Sequence, residues 1–163
     1  MKNLFCFSHS EFDEECEKCG YNDSNVPEDI AFISITGTQD CQKYYLEEEE
    51  LHWFKQSKEN ILNISFDDIR KDQIEWKGHI FYGLSQEQAR EIVDFVEKNI
   101  NKDFWIHCRA GLSRSQGVVR FILDCYPEYQ WKTRPDNPCL TPNYDVTIKL
   151  KHAWREKLGE YLE

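Results

Sequence analysis

Between Ser85 and Tyr126 the local signals alternate so closely that only one broad class of fold accommodates them. Ser85-Gln86-Glu87-Gln88 is a capping-box pattern, and Ala89, Ile92, Val93, Val96 and Ile100 follow at helical spacing. Phe104-Trp105-Ile106 is a short apolar strand that delivers the chain to His107 and Cys108. A second helix is expected from about Ser113 to Tyr126, with Val118, Val119, Ile122 and Cys125 inward and Pro127 ending it. Strands alternating with helices bury both faces of a sheet, so the expected class is α/β, a single domain with a parallel-rich central sheet flanked by helices.

The flanking sequence extends the same pattern. Ile30 to Thr36 reads IAFISIT and is closed by Gly37, as a buried strand should be. Ile61 to Phe66, ILNISF, is a further strand candidate that runs straight into Asp67-Asp68, placing two carboxylates at a strand end. Residues 44–58 have helical character, with Glu47 to Glu50 as a solvated face. Residues 127–140 hold three prolines without periodicity and read as a surface loop. A last helix is expected with Thr141 as N-cap, Pro142 in the first helical position, and Val146, Leu150, Ala153, Trp154, Leu158 and Tyr161 as its buried stripe.

Charge divides the chain unevenly. Residues 1–50 carry 13 acidic and 3 basic side chains, whereas residues 51–163 carry 17 of each. Residues 1–29 therefore read as an acidic N-terminal extension and residues 30–163 as the folded domain. A chain of net charge -10 is poorly suited to tracking nucleic acid or lying on an anionic membrane, both of which need clustered Lys and Arg. Its apolar runs are a few residues long, far short of the roughly 20 that span a bilayer. Seven cysteines without a signal-like apolar start point to reduced thiols in the cytoplasm. Cys16 and Cys19 form one C-x-x-C, with Cys6 and His9 as further candidates, but structural zinc usually needs a second such pair. No metal and no cofactor is expected.

The chemistry concentrates in His107-Cys108-Arg109-Ala110-Gly111-Leu112-Ser113-Arg114-Ser115, the loop between the strand and the second helix. Backbone N–H groups of a loop entering a helix N-terminus, together with the helix dipole, form an anion cradle, and Gly111 allows the turn it requires. In such a cradle a cysteine is held as the nucleophilic thiolate. The fork of Arg114 suits two phosphate oxygens, Ser115 is placed to hydrogen-bond the sulfur, and His107 is expected to orient the cysteine through backbone hydrogen bonds.

The string HCRAGLSRS matches the H-C-x5-R-S/T signature of the cysteine-dependent protein tyrosine phosphatase superfamily and most resembles its dual-specificity branch, in the manner of small bacterial or phage members. The resemblance extends over roughly residues 30–126. It implies a phosphatase acting on phosphotyrosine, with phosphoserine and phosphothreonine as further substrates, in a phosphorylated protein or a small phosphate monoester. It implies Cys108 as nucleophile, Arg114 and Ser115 as catalytic partners, and Arg109, Ala110, Gly111, Leu112, Ser113 and Arg114 as the phosphate-binding loop. The family also uses an upstream aspartic acid to protonate the leaving oxygen. Asp67, Asp68 and Asp72 are the candidates here, and Asp68 is preferred because it follows a strand ending Ile64-Ser65-Phe66-Asp67-Asp68. Two alternatives stand beside this reading. One is a phosphoinositide, phytate or RNA 5′-triphosphate phosphatase on the same loop, which the single extra base Arg109 and the acidic chain disfavour. The other is a non-catalytic phosphate-binding module.

Overall fold

Five strands, β1 (Lys2–Phe7), β2 (Ile30–Thr36), β3 (Ile61–Ser65), β6 (Asp103–His107) and β7 (Tyr129–Trp131), form one sheet in the order β3-β2-β6-β1-β7. Every neighbouring pair in it is parallel. A separate antiparallel hairpin joins β4 (Gln73–Trp76) to β5 (His79–Tyr82). The helices among the described residues are α1 (His9–Cys19), α2 (Gln86–Lys98), α3 (Arg114–Cys125) and α4 (Tyr144–Leu162). This architecture comes from a computed structural model that describes residues 1–38, 52–132 and 141–162. It is the expected α/β class, with a mainly parallel central sheet flanked by helices.

Side-chain alternation along the strands builds two cores. Leu4, Cys6, Ala31, Ile33, Leu62, Ile64, Phe104 and Ile106 face one way, toward α2, α3 and α4. Phe7, Phe32, Ile61 and Trp105 face the other way and meet Phe12 and Cys16 of α1. Strands buried on both faces read as continuous apolar runs, which is why IAFISIT shows no polar alternation. The α2 helix begins at the capping box the sequence predicts, with Ser85 accepting from the backbone N–H of Gln88 and the Gln88 side chain returning to the N–H of Ser85.

Four expectations change. Residues 1–29 are no extension: β1 lies inside the sheet between β6 and β7, and Phe12 of α1 is fully buried in an aromatic cluster with Phe7, Phe32, Phe54 and Trp105. Burial of those rings outweighs the acidic surface of α1, so the boundary expected at residue 30 separates nothing structural. The helix expected over 44–58 is not formed over 52–58, where the chain makes a run of bends, and residues 44–51 lie outside the described residues. The first part of the loop expected over 127–140 contains β7, which adds an edge to β1 through the register Lys2 to Tyr129, and residues 133–140 lie outside the described residues. The last helix is capped by Asn143 and not Thr141: the Asn143 Oδ1 accepts from the N–H groups of Asp145 and Val146 at 3.1 and 3.4 Å. On that helix Val146, Leu150 and Ala153 are buried and Trp154 partly so, while Leu158 is exposed, and the Tyr161 side chain lies outside the described residues.

Candidate active site

In a parallel sheet all strands end on the same side, so the segments after β1, β2, β3 and β6 converge at one edge. Cys108 leaves the central strand β6 there, Ser8 and α1 follow β1, Thr38 follows β2, and Asp67-Asp68 follow β3. Topology thus gathers residues that are far apart in sequence.

The Cys108 sulfur is buried at 3% exposure and lies 3.2 Å from the Gly111 N–H that donates to it and 3.1 Å from the Ser115 hydroxyl. Gly111 has φ +70°, and a Cβ there would stand 2.6 Å from both the Phe7 carbonyl carbon and the Ser8 nitrogen. Only glycine permits both that backbone and so close an approach. The loop is fastened on its other side as well. The His9 N–H donates to the Arg109 carbonyl at 3.0 Å, and the Gln116 amide donates to the Gly111 carbonyl at 3.1 Å. Thr141, expected as a helix cap, instead donates its hydroxyl to the Leu112 carbonyl at 2.6 Å. Arg109, Ala110 and Leu112 are exposed at the loop's outer surface.

Arg114 opens α3, is almost wholly buried, and donates through one terminal nitrogen to the Phe66 carbonyl at 3.0 Å. That bond ties the loop to the end of β3. Ser115 is fully buried and shared: its hydroxyl oxygen is 3.1 Å from the Cys108 sulfur and 3.2 Å from that of Cys6, whose thiol donates to it. The sequence offered Cys6 only as a possible partner of the Cys16 and Cys19 pair, and its place beside Ser115 was missed. The available signal was its place in β1, on the face that also carries Leu4.

The three aspartates have different surroundings. Asp67 is 2% exposed and its carboxylate accepts from the Thr38 N–H, the Thr38 hydroxyl and the Tyr82 N–H at 2.9, 2.7 and 2.8 Å. These three bonds clamp the ends of β2 and β3 and the hairpin together. Asp72 is exposed and pairs with Lys149 at 2.9 Å. Asp68 is exposed but touches the loop, its Oδ1 accepting the Ser113 hydroxyl at 2.7 Å and the Asn143 amide at 2.9 Å.

His107 is fully buried, its ring stacked on Phe12 at 4.2 Å between centroids and edge-on to His9 at 5.5 Å. It lies beside the Cys108 backbone, yet neither ring nitrogen completes a hydrogen bond of ordinary geometry. Packing on Phe12 fixes the ring beside the Cys108 backbone. Burial, with nearby His9 adding to it, pushes the imidazole down to about 3 from its ordinary 6.5. The unfolded chain then takes up a proton at this position that the folded chain refuses. Its contribution to stability is complete above about pH 6.5 and is lost progressively as pH falls toward 3. Denaturant midpoints should accordingly fall on acidification from neutral pH, and less steeply in His107→Gln; equal slopes would show that residue 107 does not carry the effect.

Of the C-x-x-C pair, Cys16 is buried against the aromatic cluster and burial pushes its thiol up to about 12, while Cys19 is exposed. Among the described residues no group of three or more His, Cys, Asp or Glu side chains is placed to hold a metal ion. No helix among them is long and apolar enough to cross a membrane. A cleft of about 870 Å³ between the α2 N-terminus and α4 includes Asp72, Tyr82 and Lys149 in its lining but none of Cys108, Arg114 or Ser115. Chemistry and not volume marks the loop as the candidate site. A scan of protein-family models and a search of curated proteins both find no match to this chain.

Proposed function

We propose that the chain hydrolyses phosphate monoesters through a covalent phosphocysteine on Cys108. Within that class it acts as a cytoplasmic protein phosphatase of the dual-specificity kind, taking phosphotyrosine and also phosphoserine or phosphothreonine. The observation that carries the reading is the sulfur of Cys108 at the end of the central strand, facing the Gly111 N–H and the Ser115 hydroxyl at 3.2 and 3.1 Å beneath the N-terminus of α3. Free thiols at Cys6, Cys16, Cys19, Cys108 and Cys125 suit a reducing compartment.

In the first step the Cys108 thiolate attacks phosphorus, the bond from phosphorus to the leaving oxygen breaks, and Asp68 gives that oxygen its proton. Arg114 engages one terminal nitrogen with Phe66 and keeps the rest of its fork for two phosphate oxygens. Loop N–H groups and the α3 dipole balance the charge on the third. In the second step Asp68, now ionised, takes a proton from water, the water oxygen attacks phosphorus, and the bond to sulfur breaks. Ser115 donates its hydroxyl hydrogen bond to the departing thiolate.

Hydrolysis of a generic aryl phosphate in the presence of a chelator tests this directly. Turnover should persist without a divalent ion, iodoacetate should alkylate Cys108 ahead of the other cysteines, and inorganic phosphate should protect it. Activity that vanishes with the chelator and returns with a metal ion, or a Cys108 no more reactive than its neighbours, would contradict the covalent mechanism.

A further inference from the structure

Asn143 lies 75 positions from Asp68 in sequence and is 1% exposed, yet its side-chain amide meets the carboxylate directly. Its Nδ2 donates to the Asp68 Oδ1 at 2.9 Å and to the Ile69 carbonyl at 3.0 Å. Its Oδ1 accepts from the N–H groups of Asp145 and Val146. Two acceptors on one side and two backbone donors on the other fix the orientation of the amide, because turning it over would set donor against donor. The Asn143 backbone N–H donates to the Ser113 carbonyl at 3.0 Å, and the Ser113 hydroxyl donates to the same Asp68 Oδ1 at 2.7 Å. One residue at the start of α4 therefore touches both the Asp68 segment and the last residue of the loop before α3.

Given the phosphatase reading above, on which this rests, we infer that Asn143 is a positioning residue for the general acid. Both donors, Ser113 and Asn143, converge on Oδ1 of Asp68, and Oδ2 has no partner among the described residues. A carboxyl group so held carries its transferable proton on Oδ2, the oxygen that no donor occupies. Asn143 thus selects which oxygen delivers the proton and holds the Asp68 segment over the loop, while Ser113 links that placement to the loop itself.

Asn143→Ser separates this role from helix capping, since serine is as good an N-cap but lacks the amide donor. Turnover of a phosphotyrosine peptide should fall roughly 10- to 100-fold, the scale of a misplaced catalytic group. Turnover of an aryl phosphate with a strongly acidic phenol should fall much less. Asp68→Asn combined with Asn143→Ser should be no slower than Asp68→Asn alone. The unfolding midpoint of Asn143→Ser, measured in parallel, reports whether the fold is kept. Equal loss on both substrates, or additive losses in the double variant, would overturn the inference while leaving a Cys108-dependent phosphatase intact. A wild-type protein without Cys108-dependent turnover overturns the underlying reading and the inference with it.

Discussion

Asp68→Asn is expected to lower turnover of a phosphotyrosine peptide by roughly 100- to 10,000-fold, the range general acid catalysis supplies. Phenolate leaves poorly without a proton, so the loss should shrink sharply for a substrate whose phenol is much more acidic. The basic limb of the pH profile should disappear, because it reports the proton that residue 68 must carry. The substitution is structurally mild: an asparagine oxygen at the Oδ1 position still accepts from Ser113 and Asn143. Substrate binding should therefore persist. Asp67→Asn behaves differently, because an amide has one oxygen for a site that presents three donors from Thr38 and Tyr82. It should cost about 1–3 kcal/mol of stability and slow both substrates alike. Asp72→Asn removes only an exposed pair with Lys149, whose worth is about 0–1 kcal/mol, and should leave turnover unchanged. Leaving-group-dependent loss in either control and not in Asp68→Asn would move the acid to that residue.

Much of the fold is legible in the sequence wherever periodicity and capping agree. The buried runs of β2 and β6, the capping box of α2 and the apolar face of α3 all rest on local signals that tertiary packing reinforces. What escapes is what tertiary context decides. The Lys2–Phe7 segment opens with polar residues and precedes an acidic helix, so it resembles a solvated tail until pairing with β6 and β7 buries it. The hairpin turns at Lys77-Gly78, where both residues have positive φ, of 50° and 80°. That turn type normally announces itself with Asn or Asp in the first position, and lysine hides it.

The site divides along the same line. Cys108 to Ser115 are contiguous, and a strand, a glycine and a helix start around them suffice to suggest a cradle. The partners of that segment are contributed by other elements. Cys6 comes from β1 and Asn143 from the start of α4, and neither residue type has meaning until the parallel sheet brings its ends together. The choice among Asp67, Asp68 and Asp72 stays open in sequence for the same reason. Their hydrogen-bond partners distinguish them: Asp67 is spent on Thr38 and Tyr82, Asp72 on Lys149, and Asp68 touches Ser113 of the loop.

The central claim is that the Cys108 sulfur forms a bond to phosphorus, and Cys108→Ser tests it most directly. An alcohol at this position lacks the thiolate, and removing a covalent nucleophile removes the whole pathway, so turnover should fall by about 10⁴-fold or more. The proposed cradle would draw on backbone N–H groups and Arg114 and not on the sulfur, and serine is close to cysteine in shape, so tungstate should bind the variant nearly as well as the wild type. Acid-quenched wild-type protein, mixed with ³²P-labelled aryl phosphate, should carry label on the peptide containing Cys108, and Cys108→Ser should carry none. Turnover that survives the substitution, or label on any other residue, would contradict the account.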